Sequence, residues 1–474
     1  MVRSVRARLG VALSLSLLVL GALAAPTSAA VHVRWVDNDS KKGDGPAACD
    51  TANFHTIQAA VDASHPGDSV FVCPGTYKEQ VIVNTPGLLI QSRPTRSAII
   101  LPPEADQIQE VAGGYDLVDI LADDVSFVGF KMNFQGGDLG PGVQPATTCF
   151  TLDTAIFATN VAGLNIKANS IKATGDNTLS GECGYLVGVG IINGILGAAK
   201  AHTAGLYGHD TNDISRNRIV DFKYAGVITE GEVTSRIYNN SIRYIHANDP
   251  ATCVVVPVLG ISSSLTFPCD LPTGVAPPKA YQLPPDVSAG IVIEGGLADL
   301  RNNSVYSTFN LSTCEISCEV FLGVGVGMFE TAPGSIVRNN RVDGTFYAMS
   351  IGEPDIAPVA ASKTSNLNSL PKAPDGTQVT GNRLTENFVG LAVTTSDNEF
   401  YGNRSHLNLF GSLVGNGASD NVFELNDFTV NLAGDCVDET TGSGTLNTAN
   451  NWDAANFGMN NNPDGLCIDT GFPV

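Results

Sequence analysis

Apolar residues in this 474-residue chain occur in short runs that Gly, Asn and Asp interrupt, and one pattern recurs. An aliphatic or aromatic residue is followed by two variable residues, Asn, one variable residue and another apolar residue, as in Ile166-Lys-Ala-Asn169-Ser-Ile171. One of the eight copies departs from the pattern, since Ser405 replaces the last apolar residue of the copy at Asn403. The copies are spaced by one, two or nearly three units of roughly 22 residues, a period typical of solenoid repeats. Copies centre on Asn169, Asn217, Asn240, Asn303, Asn340, Asn382, Asn403 and Asn426.

A glycine followed by a short apolar run precedes most of these asparagines, as in Gly226-Val-Ile-Thr229 and Gly290-Ile-Val-Ile293. Each unit therefore holds several short strands and has no room for a helix of ordinary length. This pattern predicts an all-β fold, a right-handed parallel β-helix. We expect the asparagines to be structural: Asn tolerates the left-handed backbone of a tight turn, and its amide can bond the equivalent Asn on the next coil.

The N-terminal part predicts a short amphipathic helix. In the stretch Phe54 to Ser64, residues Ile57, Ala60, Val61 and Ser64 share one helical face, and Pro66-Gly67-Asp68 follows as a stop. Strands are predicted at 69–73 and 80–84. The helix would cover the open end of the solenoid, which otherwise exposes strand edges and core side chains.

The run Thr56-Ile-Gln-Ala-Ala-Val-Asp-Ala63, followed by Pro66-Gly67-Asp68 and by Pro74-Gly-Thr-Tyr-Lys-Glu79, resembles the start of pectin-lyase-like β-helix proteins. That family includes pectate lyases, pectin methylesterases and polygalacturonases. The stretch from Asn451-Trp452 to Cys467 resembles the last coil of exported bacterial members. The resemblance implies a β-helix over nearly the whole mature chain, whereas one fold hosts many activities.

Residues 1–30 are expected to form a signal peptide, because basic residues precede an apolar run that ends at Ser28-Ala-Ala30. The mature chain is then expected to be secreted, without a membrane span, and monomeric. Removal of the signal peptide, which contains three arginines and no acidic residue, changes the formal charge from −21 to −24. That charge disfavours nucleic acid and anionic membranes as partners and is compatible with Ca²⁺ binding.

The ten cysteines favour disulfides in an exported chain. Pairing of sequence neighbours predicts bonds 49–73, 149–183, 253–269, 314–318 and 436–467. We predict one β-helix domain over residues 31–474. Within it, the N-terminal cap covers about 31–84, loop insertions cover about 248–286 and 353–376, and the C-terminal end coil covers about 430–474.

Candidate catalytic residues occur at the ends of the glycine-initiated strands, where the family resemblance implies a substrate-binding sheet. They are His209, Glu230, Glu294 and Glu330, with Glu353 as a further member of the column. Carboxylates on adjacent coils would lie about 5 Å apart, which suits an acid/base pair or a Ca²⁺ site. The alternative is a set of polar strand ends without catalytic function. Glu230 and Ile228 are two residues apart and share a face, so an inward Ile228 would require a turn to release Glu230.

Arginines form a second row, since Arg218, Arg341, Arg383 and Arg404 each follow a motif asparagine. Arg can hold a sugar carboxylate through two parallel hydrogen bonds. The row is expected around a corner from the glutamates, where a solvated face is the alternative interpretation.

The leading hypothesis is an extracellular carbohydrate-active β-helix, a polysaccharide lyase or glycoside hydrolase whose partner is a polysaccharide or cell-surface glycan. The diagnostic motifs of polygalacturonases, methylesterases and the major pectate lyases are not found in the sequence. The alternative is a non-catalytic cell-surface or matrix protein that serves as a binding or structural platform.

Overall fold

The computed structural model describes residues 31–39, 43, 45–104, 107–111, 114–135, 152–174, 185–193, 210–222, 225–231, 233–243, 256–257, 264–265, 287–307, 322–329, 331, 333–352, 376–415 and 417–468. The predicted signal peptide, most of both loop insertions and three predicted disulfides lie outside these residues. No helix among the described residues is long and apolar enough to cross a membrane.

Three long sheets contain nearly all described strands, and every strand in them pairs in parallel with its neighbours. The chain visits sheets A, B and C in turn, and from Ser69 to Val414 each coil places one strand in each sheet. The expected right-handed parallel β-helix is thereby confirmed. Sheet A contains Val33–Val36, Ser69–Val72, Leu89–Ser92, Ser126–Val128, Asn165–Lys167, Asn212–Ser215, Thr234–Tyr238, Leu297–Arg301, Ile336–Arg338, Gln378–Thr380, Glu399–Tyr401, Val422–Glu424 and Asn451–Trp452.

Sheets B and C follow sheet A along the chain. Sheet B contains Gly75–Lys78, Ala98–Leu101, Lys131–Gln135, Ser170–Thr174, Arg218–Val220, Ser241–Arg243, Ser304–Tyr306, Arg341–Asp343, Arg383–Thr385 and Arg404–His406. Sheet C contains Val81–Val83, Asp116–Ile120, Leu152–Thr159, Tyr185–Ile192, Ala225–Glu230, Val287–Glu294, Leu322–Phe329, Tyr347–Ile351, Val389–Val393, Phe410–Val414, Gly434–Asp438 and Asn461–Asn462. A separate antiparallel pair joins Val256–Pro257 to Ser264–Leu265, and short 3₁₀ turns occur at Cys49–Thr51 and Thr445–Asn447.

The predicted N-terminal helix is observed at Ile57–Asp62, where Thr56 is the N-cap and its hydroxyl accepts from the Ala59 N–H at 3.2 Å. The Glu79 carboxylate accepts hydrogen bonds from the backbone N–H groups of Ile57 and Gln58, at 2.8 and 2.9 Å. Because these groups have no partner inside the helix, the carboxylate completes the cap. The apolar face of the helix is buried as predicted and packs on the strands Val33–Val36, Ser69–Val72 and Val81–Val83.

The interior of the solenoid is filled by aliphatic and aromatic side chains stacked coil on coil. In the last coils, Phe400 stacks on Phe423 with ring centroids 4.6 Å apart, and Phe423 stacks on Trp452 at 3.9 Å. Two predicted disulfides are present, and each lies near an end of the β-helix, Cys49–Cys73 at the first and Cys436–Cys467 at the last.

The predicted asparagine ladder is confirmed, and all eight members are buried. The amide nitrogen of each donates to the Oδ1 of the next, from Asn169 through Asn426, and the ladder ends on Asn456. The backbone explanation offered from sequence was wrong. The left-handed residue is the one before each asparagine, for example Asn339 at φ 53° or Gly381 at φ 63°. The asparagine is suited to this position because its side-chain amide can accept a hydrogen bond from one coil and donate one to the next.

Candidate functional site

The structure brings two of the predicted site residues together. Glu230 and Glu294 end adjacent strands of sheet C and are direct partners in the parallel register. On the far side, Glu294 pairs with Phe329, so the in-register continuation of the column is Phe329 and not Glu330. His209, Glu330 and Glu353 lie outside the described residues.

Glycine turns hold this glutamate pair at the strand ends. Gly231 and Gly295 directly follow the two glutamates and adopt left-handed φ values of +80° and +82°. A Cβ on Gly231 would lie 2.2 Å from the Asn193 carbonyl oxygen, so only glycine fits this turn. The Gly231 N–H donates to the Glu294 carbonyl at 2.8 Å, which ties the two turns together.

The face on which the glutamates lie is the outward face of sheet C. Val227 belongs to the interior core, whereas Ile228 belongs to a second buried cluster on the opposite side of the strand. Glu230 follows Ile228 by two residues and therefore shares its outward direction. No turn is therefore needed to direct the Glu230 side chain outward, because Ile228 itself does not point inward. Ile192 and Phe329, the register neighbours on either side of the glutamate pair, belong to the same outward cluster.

These apolar neighbours determine the charge state of the pair. Glu230 is partly buried, and its Oε2 atom is buried without a hydrogen-bond partner among the described residues. Burial, and next the charge of Glu294, raise the pKa of Glu230 to about 7. The pair therefore tends to hold one proton near neutral pH. A protonated carboxyl beside a carboxylate can donate a proton and accept one within the same site.

A second carboxyl pair on the outward face of sheet C was missed from the sequence. Asp119 and Asp116 are buried, and their side chains are hydrogen-bonded to each other. The Gln80 amide nitrogen donates to Asp119 Oδ2 at 3.0 Å and to the Asp116 carbonyl at 3.0 Å. Burial raises the pKa of Asp119 to about 7 against the effect of these hydrogen bonds. The signal in the sequence was Asp116-Leu-Val-Asp119, with acids inside an apolar strand.

The two carboxyl pairs share one face but are not in contact. The register runs from Asp119 through Phe157 and Gly190 to Ile228, which precedes Glu230 by two residues. Three strand spacings of about 4.8 Å separate them, roughly 14 Å across the sheet. Among the described residues, no group of three or more His, Cys, Asp or Glu side chains is placed to hold a metal ion.

The arginine row lies on sheet B, around a corner from the glutamates as expected. Arg341, Arg383 and Arg404 are direct register partners on successive coils. Arg218 is separated from them by Ser241 and Ser304. The arginines and the glutamates therefore form two different surfaces.

No family model matches the chain, and no curated protein matches it. The chain itself has the strand pairing of a parallel β-helix. Solved structures similar to this β-helix include pectate lyase Pel9A, 10% identical, with 90% of this chain and 80% of that chain covered at a TM-score of 0.41.

Two epimerases also match the β-helix. The Azotobacter vinelandii mannuronan C-5 epimerase AlgE4 A-module is 14% identical, with 85% of this chain and 89% of that chain covered at a TM-score of 0.38. The periplasmic alginate epimerase AlgG is 13% identical, with 88% and 72% covered at a TM-score of 0.36. At these identities and TM-scores the matches carry no argument about activity, and the fold is established by the strand pairing of the chain itself.

Proposed function

We propose that this protein is a carbohydrate-active enzyme, a polysaccharide lyase or glycoside hydrolase, in which Glu230 is the proton donor and Glu294 the partner carboxylate. The observation that carries the proposal is the in-register pair on the outward face of sheet C, with Glu230 protonated near neutral pH by burial and by its neighbour. His209 and Glu330 remain in the proposed site on sequence grounds.

Cleavage of a sugar–oxygen bond needs the chemistry that such a pair can supply. The protonated carboxyl donates to the leaving oxygen, and the carboxylate acts as base or nucleophile. The backbones of Glu230 and Glu294 are neighbouring strands, about 4.8 Å apart. In a hydrolase, this spacing favours the retaining geometry, with carboxyls roughly 5 Å apart, over the inverting geometry, which needs roughly 6.5 Å or more.

The test is incubation of the mature protein with a panel of acidic and neutral polysaccharides, with and without Ca²⁺. Absorbance of unsaturated products reports a lyase, and release of reducing ends alone reports a hydrolase. Glu230→Gln and Glu294→Gln should each abolish product formation, and both variants keep the size of the side chain. The matched control is Glu424→Gln, since Glu424 is exposed on sheet A.

Two results would contradict the proposal. One is product formation at the wild-type rate by Glu230→Gln. The other is silence of the wild-type protein across the panel, which would favour the non-catalytic binding platform instead.

A further inference from the structure

The outward face of sheet B is basic in a chain that is strongly acidic overall. In each strand from Lys131–Gln135 to Arg404–His406 the second residue is buried, so the first and third positions face away from the interior. Four of these positions in the first half of the face hold Lys131, Lys172, Arg218 and Arg243. Three in the second half hold Arg341, Arg383 and Arg404. The only carboxylate at these positions is Asp343, although the whole chain has 47 acidic and 26 basic residues. We call these seven residues the basic band.

Most of the arginines of the basic band have no ion-pair partner among the described residues. Arg341 pairs with Asp343 at 2.5 Å and lies over the Tyr306 ring at 5.7 Å. In the described part of the chain, no ion pair or side-chain hydrogen bond joins Arg218, Arg383 or Arg404 to another residue. The same is true of Arg243.

Sheet A shows that this chain neutralises arginines elsewhere. Arg236 donates to both carboxylate oxygens of Asp213, at 2.6 and 2.5 Å. Arg301 is hydrogen-bonded to both carboxylate oxygens of Asp299. Two arginines of sheet A thus have a carboxylate partner on their own face, whereas four arginines of the basic band have none among the described residues.

Stability of the fold does not account for the basic band. Arg341, Arg383 and Arg404 stand directly opposite one another on strands about 4.8 Å apart, and like charges in that position are destabilising. Local acids reduce the repulsion only in part. Asp221 lies near Arg218 and Arg243, and Glu386 lies near Arg341. Asp427, the backbone bridge partner of Arg404, is hydrogen-bonded to His406. A ligand that supplies negative charge would relieve the repulsion.

The shape of the basic band restricts the ligand. It runs along the solenoid axis over eight strands, roughly 34 Å at the strand spacing, which fits an extended polymer. Arg binds a planar carboxylate through two parallel hydrogen bonds. Nucleic acid is disfavoured by the chain's formal charge of −21 and by the presence of a single aromatic residue, Tyr306, at the outward positions.

We propose that the basic band binds an acidic polysaccharide, with the sugar carboxylates held by Arg341, Arg383, Arg404 and their neighbours. This surface is separate from the glutamate pair on sheet C, and the proposal does not depend on the reaction there.

The test is direct binding of polygalacturonate and of alginate to the mature protein at low salt. The variant is the triple change Arg341→Gln, Arg383→Gln and Arg404→Gln. Three exposed charge contacts should together account for about a tenfold or greater weakening. The matched control replaces Arg93, Lys167 and Arg338 with Gln, which removes the same charge on the sheet A side. It should change the affinity by less than about twofold, because exposed charges outside the contact are screened.

Two controls test whether the sugar carboxylate is recognised and whether binding is distinct from cleavage. Methyl-esterified pectin, in which the carboxylate charge is removed, should bind the wild-type protein weakly and should not distinguish it from the triple variant. Repeating the measurement in Glu230→Gln excludes loss of ligand by cleavage and keeps a failure of the proposed reaction distinct from a failure of binding. Equal affinity of the triple variant and the wild type, no binding of either polyuronate, or equally tight arginine-dependent binding of single-stranded DNA would overturn the proposal.

Discussion

The hydrogen bonds of Asn340 predict a large loss of stability from a single change at the centre of the ladder. Its Nδ2 atom donates to the Leu300 carbonyl and to Asn382 Oδ1, each at 3.1 Å. Its Oδ1 atom accepts from the backbone N–H and the side-chain amide of Asn303, each at 3.0 Å. Asn340→Ala removes all four hydrogen bonds at a buried site.

The magnitude follows from the groups left behind. A typical hydrogen bond contributes about 1 kcal/mol net, and a buried group left without a partner costs about 1–3 kcal/mol. The Asn303 N–H and the Leu300 carbonyl lose these partners together. We therefore expect Asn340→Ala to lower the free energy of unfolding by about 4 kcal/mol.

Urea unfolding followed by far-ultraviolet circular dichroism measures this loss. The matched control is Asn165→Ala, because the Asn165 side chain faces outward and has no hydrogen bond in the described part of the chain; it should cost less than about 0.5 kcal/mol. A loss below about 1 kcal/mol for Asn340→Ala would refute the view that the ladder stabilises the solenoid.

Three further predictions concern pH, turns and disulfides. Because the pKa of Asp119 is raised to about 7, the folded state holds a proton that the unfolded state releases above about pH 4. The free energy of unfolding should thus fall as pH rises from about 4 to about 7, with a slope of up to about 1.4 kcal/mol per pH unit. In Asp119→Asn the urea midpoint should fall less over the same pH range. An equal fall in the variant and the wild type would contradict this explanation. Gly231→Ala should lower the free energy of unfolding by at least about 2 kcal/mol in the same assay. The control Gly402→Ala should lower it by about 1 kcal/mol, because φ is also positive there but no atom lies within 4 Å of the added Cβ. Replacing Cys436 and Cys467 with Ser should cost about 3–4 kcal/mol for a separation of 31 residues, and unchanged stability would show that this end coil does not depend on the bond.

The fold was predictable because each coil repeats the same polar residue at the same turn. The asparagine motif survives long insertions, since an insertion changes the interval but not the residues on either side of the Asn. Two further ladders were missed. One joins Asn387, Asn408 and Asn431, each five positions after a ladder asparagine, and its bonds are 3.0 and 3.1 Å long. That constant offset was visible in the sequence.

Another missed ladder joins Asn398, Asn421 and Asn450 through bonds of 2.9 Å. Its first two members stand five positions before a ladder asparagine. Asparagine ladders thus line several corners of the last coils, and a search for a second fixed offset would have found them.

The candidate site was predictable only in part, because side-chain direction depends on the register. The Glu-Gly pairs at 230–231 and 294–295 marked strand ends in the sequence, and the structure places these glutamates side by side. The alignment of Phe329, and not Glu330, with Glu294 depends on one residue of register that the sequence does not specify. Asp119 was missed because an acid within an apolar strand shows its direction only once the interior neighbours Val118 and Ile120 are known.

The pH dependence of the initial rate tests the central claim, that Glu230 and Glu294 share a proton in catalysis, most directly. On a polysaccharide that the wild-type protein cleaves, we expect the rate to fall as pH rises through about 7, where Glu230 loses its proton. Glu230→Gln should be inactive. Glu294→Asp keeps a carboxylate with a shorter reach, and any residual activity should show this fall at lower pH, because the pKa of Glu230 decreases when the neighbouring charge moves away. An active Glu230→Gln variant whose pH profile matches the wild type would contradict the account.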